Sequence, residues 1–142
     1  MAIQSRPTDP IAILLTRPQA QTARFAADLG AAFGAAVRIV ESPLIAPRFL
    51  QPSLPDLPFR AVIFTSETGV QGAGLLADPL PRRALCVGDQ TARVARAAGF
   101  DAVSAQGDAD ALLRAIVTAS EVGPLLHLHG QERRGDLAER LN

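Results

Sequence analysis

Short apolar runs alternate with helix-length amphipathic stretches along this chain, and that alternation restricts its fold more than any other feature. The clearest copy runs from Ala84 to Gly99. Ala84 to Val87 reads as a buried strand, Gly88 permits a sharp turn, Asp89 or Gln90 can open a helix, and Gly99 can close it. The unpaired N–H groups of that helix's first turn then lie just beyond the strand's carboxyl end. Those amides and the helix dipole both favour anions. Ligands of open α/β sheets bind at that edge.

The same design recurs along the chain. Residues 1–10 read as a flexible leader. Ile11 to Leu15 is a continuous apolar run, as expected of a strand covered on both faces. Pro18 suits a first helical turn. Phe25, Ala26, Leu29 and Phe33 then line one face of a helix ending near Gly34, and Val37 to Val40 forms a second strand. Pro43, Pro47, Pro52, Pro55 and Pro58 exclude a long helix between residues 41 and 60. Leu44 to Leu50 reads as an extended segment, and this stretch as the boundary between two parts. Further on, Ala61 to Phe64 is a strand followed by a helix to about Leu76. Ala102-Val103 is a weak strand. Asp108 is a plausible cap for a helix whose stripe is Leu112, Leu113, Ile116 and Val117. Leu125 to Leu128 is a strand, Gly130 to Gly135 a polar loop, and Asp136 to Leu141 the start of a helix. The pattern predicts an α/β fold, with parallel sheets flanked by helices. The chain stops while a helix is under way, where a finished domain would add a strand, so it reads as a truncated chain.

Composition narrows the function. The 142 residues carry zero formal net charge, so nothing draws the chain globally to nucleic acid or an acidic membrane. Trp and Tyr, the usual stacking platforms for single strands, are absent. Lys is also absent, which genomic composition explains. Cys86 is the only cysteine, so no internal disulfide or cysteine metal cluster can form, and a reducing cytoplasm is the simplest compartment. The early apolar run is far too short to span a membrane.

Four strand-to-helix turns share one expected edge: Thr65-Ser66, Gly88 to Thr91, Gly107-Asp108, and Gly130 to Gly135. Each offers hydroxyls or amides suited to carboxylates or phosphates. For any single turn, the plainer alternative is that Ser66, Asp89 or Asp108 only caps a helix. Thr91 falls on the packing stripe with Val94, Ala95 and Ala98, so it also reads as a small core residue. His127 and His129 share one side of a strand, but no third ligand supports a metal. Arg133-Arg134 reads as an anion clamp or as a solvated helix start. Nucleophile-elbow, P-loop and dinucleotide fingerprints are missing. The tetrapeptide Gln-Thr-Ala-Arg occurs at Gln21 and again at Gln90, each time followed by a glycine, Gly30 or Gly99, as if closing a helix. Duplication and chance both explain it, and Thr22 is expected about one turn deeper in its helix than Thr91.

An ordered set of short motifs resembles the uroporphyrinogen-III synthase family. It comprises Leu15-Thr-Arg-Pro18, Pro43-Leu44, Ile63-Phe-Thr-Ser66, Val87-Gly88 with Thr91-Ala92, Gly107-Asp-Ala109 before Leu112, and Leu128-His-Gly130 with Gly135-Asp-Leu137. Nearly the whole chain is covered. The resemblance implies a two-domain synthase-type architecture of which only part is present. Residues 11–43 would be the N-terminal β-α-β portion of domain one, and residues 44–142 most of domain two, with its last strand and the rest of domain one absent. It implies a cofactor-free cyclase, monomeric when complete. The implied substrate is hydroxymethylbilane, a linear tetrapyrrole with eight carboxylates, closed with loss of water and inversion of the last ring. Ser66 and Thr91 would lie at an interdomain cleft. With Thr65, Gly88 and Gly130 they form the expected substrate-binding set, and no catalytic group is named. The sequence departs from the family pattern at Glu67-Thr68-Gly69 and lacks a cleft-facing Tyr. The 142 residues alone are therefore expected to be inactive, an expectation that uroporphyrinogen III formed from fresh hydroxymethylbilane well above the spontaneous type I product would overturn. The competing reading is a non-catalytic α/β domain that binds a small anion or tetrapyrrole, for sensing or regulation. A receiver-like version would need clustered strand-end acids and a Lys.

Overall fold

The computed structural model describes residues 9–118, 123–131 and 137–141. The chain divides into two compact units, Met1–Arg48 and Phe49–Asn142.

The first unit is a β-α-β motif. Strand β1 (Ile11–Leu15) leads into helix α1 (Gln19–Phe33), a short 3-10 turn, and strand β2 (Val37–Glu41), which pairs in parallel with β1. The helix ends where expected, with Gly34 at φ +51° supplying the left-handed stop. Its apolar face is left largely uncovered. Phe25 is 39% exposed and Phe33 56%, and Thr22 alone is buried. A two-stranded sheet gives one long helix little surface to cover, so the apolar stripe outruns its partner. Thr22 is the fourth residue of α1, in its first turn and not a turn deeper. Its hydroxyl donates to the Arg17 carbonyl at 2.8 Å. Gly30 lies inside the helix and closes nothing.

The second unit holds a four-stranded, all-parallel sheet in the order β5-β4-β3-β6. Its strands are β3 (Ala61–Phe64), β4 (Arg83–Cys86), β5 (Asp101–Ser104) and β6 (Leu125–Leu128). Strand β4 starts and ends one residue earlier than its apolar run suggests, yet the Val87 N–H still reaches the Phe64 carbonyl at 3.1 Å. Helices α2 (Glu67–Ala73) and α3 (Asp89–Ala97) cover one face. Their layer packs Val70, Ala73, Ala92 and Ala95 against Val62, Phe64, Ala84 and Cys86. Helices α4 (Ala109–Thr118) and α5 (Leu137–Leu141) pack Leu112, Leu113, Ile116 and Leu137 on Ala61, Ile63 and Leu85 of the other face. The period-2 alternation of each strand thus splits into two apolar layers. This explains why β3 and β4 read as unbroken hydrophobic runs.

Several expected boundaries shift for identifiable reasons. Helix α2 ends at Ala73, three residues short of Leu76, where Gly74 interrupts it. Val117 is 72% exposed, because it lies about 100° round the helix from Ile116 and leaves the stripe. Ala98 is likewise exposed, off the buried face formed by Thr91, Ala92 and Ala95. Residues 42–60 adopt no regular structure. The expected leader falls mainly on residues 1–8, and the expected loop between Gln131 and Leu137, with Arg133, Arg134, Gly135 and Asp136, also lies outside the described residues. No helix among the described residues is long and apolar enough to cross a membrane.

Candidate functional site

The parallel sheet delivers all four strand ends to one edge. Phe64 pairs with both Cys86 and Leu128, and Cys86 with Ser104, so the turns after β3, β4, β5 and β6 stand side by side. Backbone bonds tie them together. The Val87 carbonyl accepts from the Gly107 N–H at 3.1 Å, and the Cys86 carbonyl accepts from the Ala105 N–H at 2.8 Å. The direction in which strands are added reverses at β3, because β4 and β5 extend the sheet one way and β6 is laid on the other. Open α/β sheets bind ligands at the carboxyl ends of the strands flanking such a switch point.

Within this edge the turns are not equivalent. Ser66 is the N-cap of α2, and its hydroxyl oxygen accepts from the Gly69 N–H at 3.2 Å. Asp108 caps α4 by accepting from the Ala111 N–H at 2.9 Å. For these two the capping alternative holds. At α3 it does not. The cap is Gly88, with no side-chain hydrogen bond to the helix, and Asp89 is the first helical residue. The first-turn amides of α3 therefore have no side-chain cap, the state in which a helix end receives an anion. Gly88 is extended (φ −144°), and a Cβ built on it meets nothing within 4 Å. Its missing side chain leaves open space beside those amides.

Thr91 is the third residue of α3 and is buried, 7% exposed. It sits in the same first turn as Gly88's uncapped amides. Thr65 is partly buried, and Ser66 and Gly130 are exposed. A capping serine still has its own O–H to donate, so Ser66 can cap α2 and hold a carboxylate at once. Thr65, Ser66 and Gly130 follow the carboxyl ends of β3 and β6, and Gly88 and Thr91 lie one strand away. Glycine also shapes this edge. A Cβ on Gly69 would lie 3.0 Å from the Leu128 carbonyl oxygen, so α2 packs directly on the end of β6.

Strand β6 stops at Leu128, one residue before His129, but the two histidine rings meet as their shared side implies, with centroids 4.8 Å apart. Among the described residues no three His, Cys, Asp or Glu side chains converge as a metal site.

Two ionisable groups at this edge have shifted acidities. The N–H of Ala111 holds the Asp108 carboxyl below the ordinary aspartate value. A carboxyl lowered on folding stabilises the fold above its unfolded pKa, and that contribution is lost as pH falls through the lower folded value. Asp108→Asn, which keeps a capping oxygen, should flatten the loss of stability below about pH 4, read as urea midpoints against pH. Burial pushes the Cys86 thiol up to about 11, with Arg96 pulling partly the other way. Cys86 is 0% exposed. In the folded protein it should therefore resist a disulfide reagent at about pH 8 and react in full once urea unfolds the chain.

The differences among the turns could not be read from residue types, since Ser66, Gly88 and Asp108 all begin helices. Comparison with curated proteins returned no match. The family model for uroporphyrinogen-III synthase HemD matches residues 24–142, which take in the whole four-stranded sheet and its carboxyl edge. The chain belongs to the uroporphyrinogen-III synthase HemD family.

Proposed function

We propose that this protein acts in tetrapyrrole synthesis as a uroporphyrinogen-III synthase, a lyase that closes hydroxymethylbilane with loss of water and inversion of the last pyrrole ring. Family membership supports the reaction class. The observation that carries the site is the uncapped first turn of α3 behind Gly88, on the edge shared with Thr65, Ser66 and Gly130. In this reading Gly88 lets the backbone approach a substrate carboxylate, Thr91 sits in the turn beneath it, and Thr65, Ser66 and Gly130 flank the switch point. Amides and hydroxyls hold a polyanion without requiring a basic protein. Departure of the hydroxyl as water is driven by pyrrole electrons of the substrate itself. The protein's part is to fold the chain of rings so that inversion precedes closure. A cytoplasmic location agrees with the unpaired Cys86.

Fresh hydroxymethylbilane tests the reading in two ways. A protein that binds the bilane slows its spontaneous closure to the type I isomer, and one that also turns it over forms the type III isomer. Either result supports the reading. Unchanged type I kinetics at excess protein, with no type III product, overturns it.

A further inference from the structure

The carboxyl edge has a charge problem if it takes a polycarboxylate. Glu67, Asp89, Asp108, Asp110 and Glu139 are acids in the described first helical turns and caps there, and the one guanidinium among them, that of Arg140, is taken up by Asp110 at 2.6 Å. The other group in these described turns able to carry a positive charge is His129. It follows Leu128, which pairs with Phe64, so His129 and Thr65 are the next residues of neighbouring strands across the switch point. The close packing of α2 on the Leu128 carbonyl brings the Ser66 turn to the same place.

The ring of His129 is anchored at one nitrogen. Its Nδ1 lies 2.6 Å from the Gly130 carbonyl oxygen, and the side chain is otherwise exposed. A carbonyl only accepts, so Nδ1 carries the hydrogen. In the neutral ring Nε2 is then an acceptor, which repels a carboxylate. In the protonated ring it is a charged donor, which binds one. We propose that His129 is a carboxylate ligand of this edge, switched on by protonation and oriented by the Gly130 carbonyl. This rests on the substrate reading above and adds a residue and a pH sense to it.

His127 is a titratable neighbour, its ring 4.8 Å away centroid to centroid. Glu67, Asp89 and Asp108 border the same edge. On the helices of the His127 face, Asp110 is held by Arg140 at 2.6 Å, and Glu139 is exposed.

Uroporphyrin III, a stable macrocycle with eight carboxylates, serves as the probe. Its binding to the wild-type chain should tighten about 5- to 10-fold between about pH 8 and pH 6, where imidazoles gain charge and carboxylates stay ionised. His129→Ala and His129→Gln should both lose that dependence and bind about 5- to 10-fold more weakly at the lower pH. In the wild type, saturation should also move the Nε2 resonance of ¹⁵N-labelled His129. The proposal is overturned, and the substrate reading kept, if the probe binds while both variants retain the pH trend or the Nε2 resonance stays fixed. If the wild type binds no uroporphyrin at either pH, the proposal and the substrate reading fall together.

Discussion

Phe64→Ala is expected to destabilise the second unit by about 3–5 kcal/mol, enough to leave it largely unfolded in mild urea. Phe64 is 0% exposed at the end of the central strand, and its ring meets Phe100 edge to face with centroids 5.2 Å apart. Removing it forfeits the buried apolar surface, the aromatic contact and the packing of the α2–α3 layer. Cys86 lies in that same layer and is the chain's only cysteine, so its labelling rate reports the opening of this unit directly. The check is a urea titration followed by thiol labelling and circular dichroism together. A loss below about 1 kcal/mol would mean that the layer closes around the gap and does not depend on Phe64.

Gly88→Asp should separate stability from function. The backbone at Gly88 is extended, the space around an added side chain is open, and aspartate is a good N-cap. The substitution should raise stability by a few tenths of a kcal/mol, after some opposition from Asp89 next door. It should also weaken tetrapyrrole binding by at least about tenfold, because the new carboxylate takes the first-turn amides of α3 and repels the substrate's own. Gly88→Ser, which caps without charge, should fall between. Unfolding midpoints and uroporphyrin affinity measured on the same samples decide the matter. Unchanged affinity in Gly88→Asp would remove the α3 turn from the site.

What the sequence made legible follows from what each signal depends on. Strands β3 and β4 were readable because a parallel strand covered on both faces shows an apolar run, whereas β1, whose run carried the same expectation, leaves Ile11 70% and Leu14 61% exposed on its two-stranded sheet. The stops at Gly34 and Gly99 were readable because both glycines take positive φ. The exposure of α1's apolar face was not legible, because periodicity marks a helix's apolar side but not the area available to cover it. Phe25 and Phe33 have the right spacing over too small a sheet. At the site, residue types identified the four turns but not their internal bonding. The Ser66 hydroxyl and Asp108 carboxylate occupy their own helices' amides, and only three-dimensional geometry distinguishes them from Gly88. The contact between His129 and Gly130 was equally hidden, since neighbours in sequence give no sign of which ring nitrogen is engaged.

The placement of β6 also governs the order in which the chain can mature. Ala61 must wait for Leu125, more than sixty residues further on, before the second edge of β3 is paired. During synthesis, β3, β4 and β5 emerge with their connecting helices and can zip together locally. The open side of β3, fully apolar, stays exposed until β6 arrives. The β3–β4 and β4–β5 pairings close over shorter crossovers than the one that joins β3 to β6. Until that four-residue strand is laid down, β3 presents an unpaired edge, the kind of template onto which another extended segment can add.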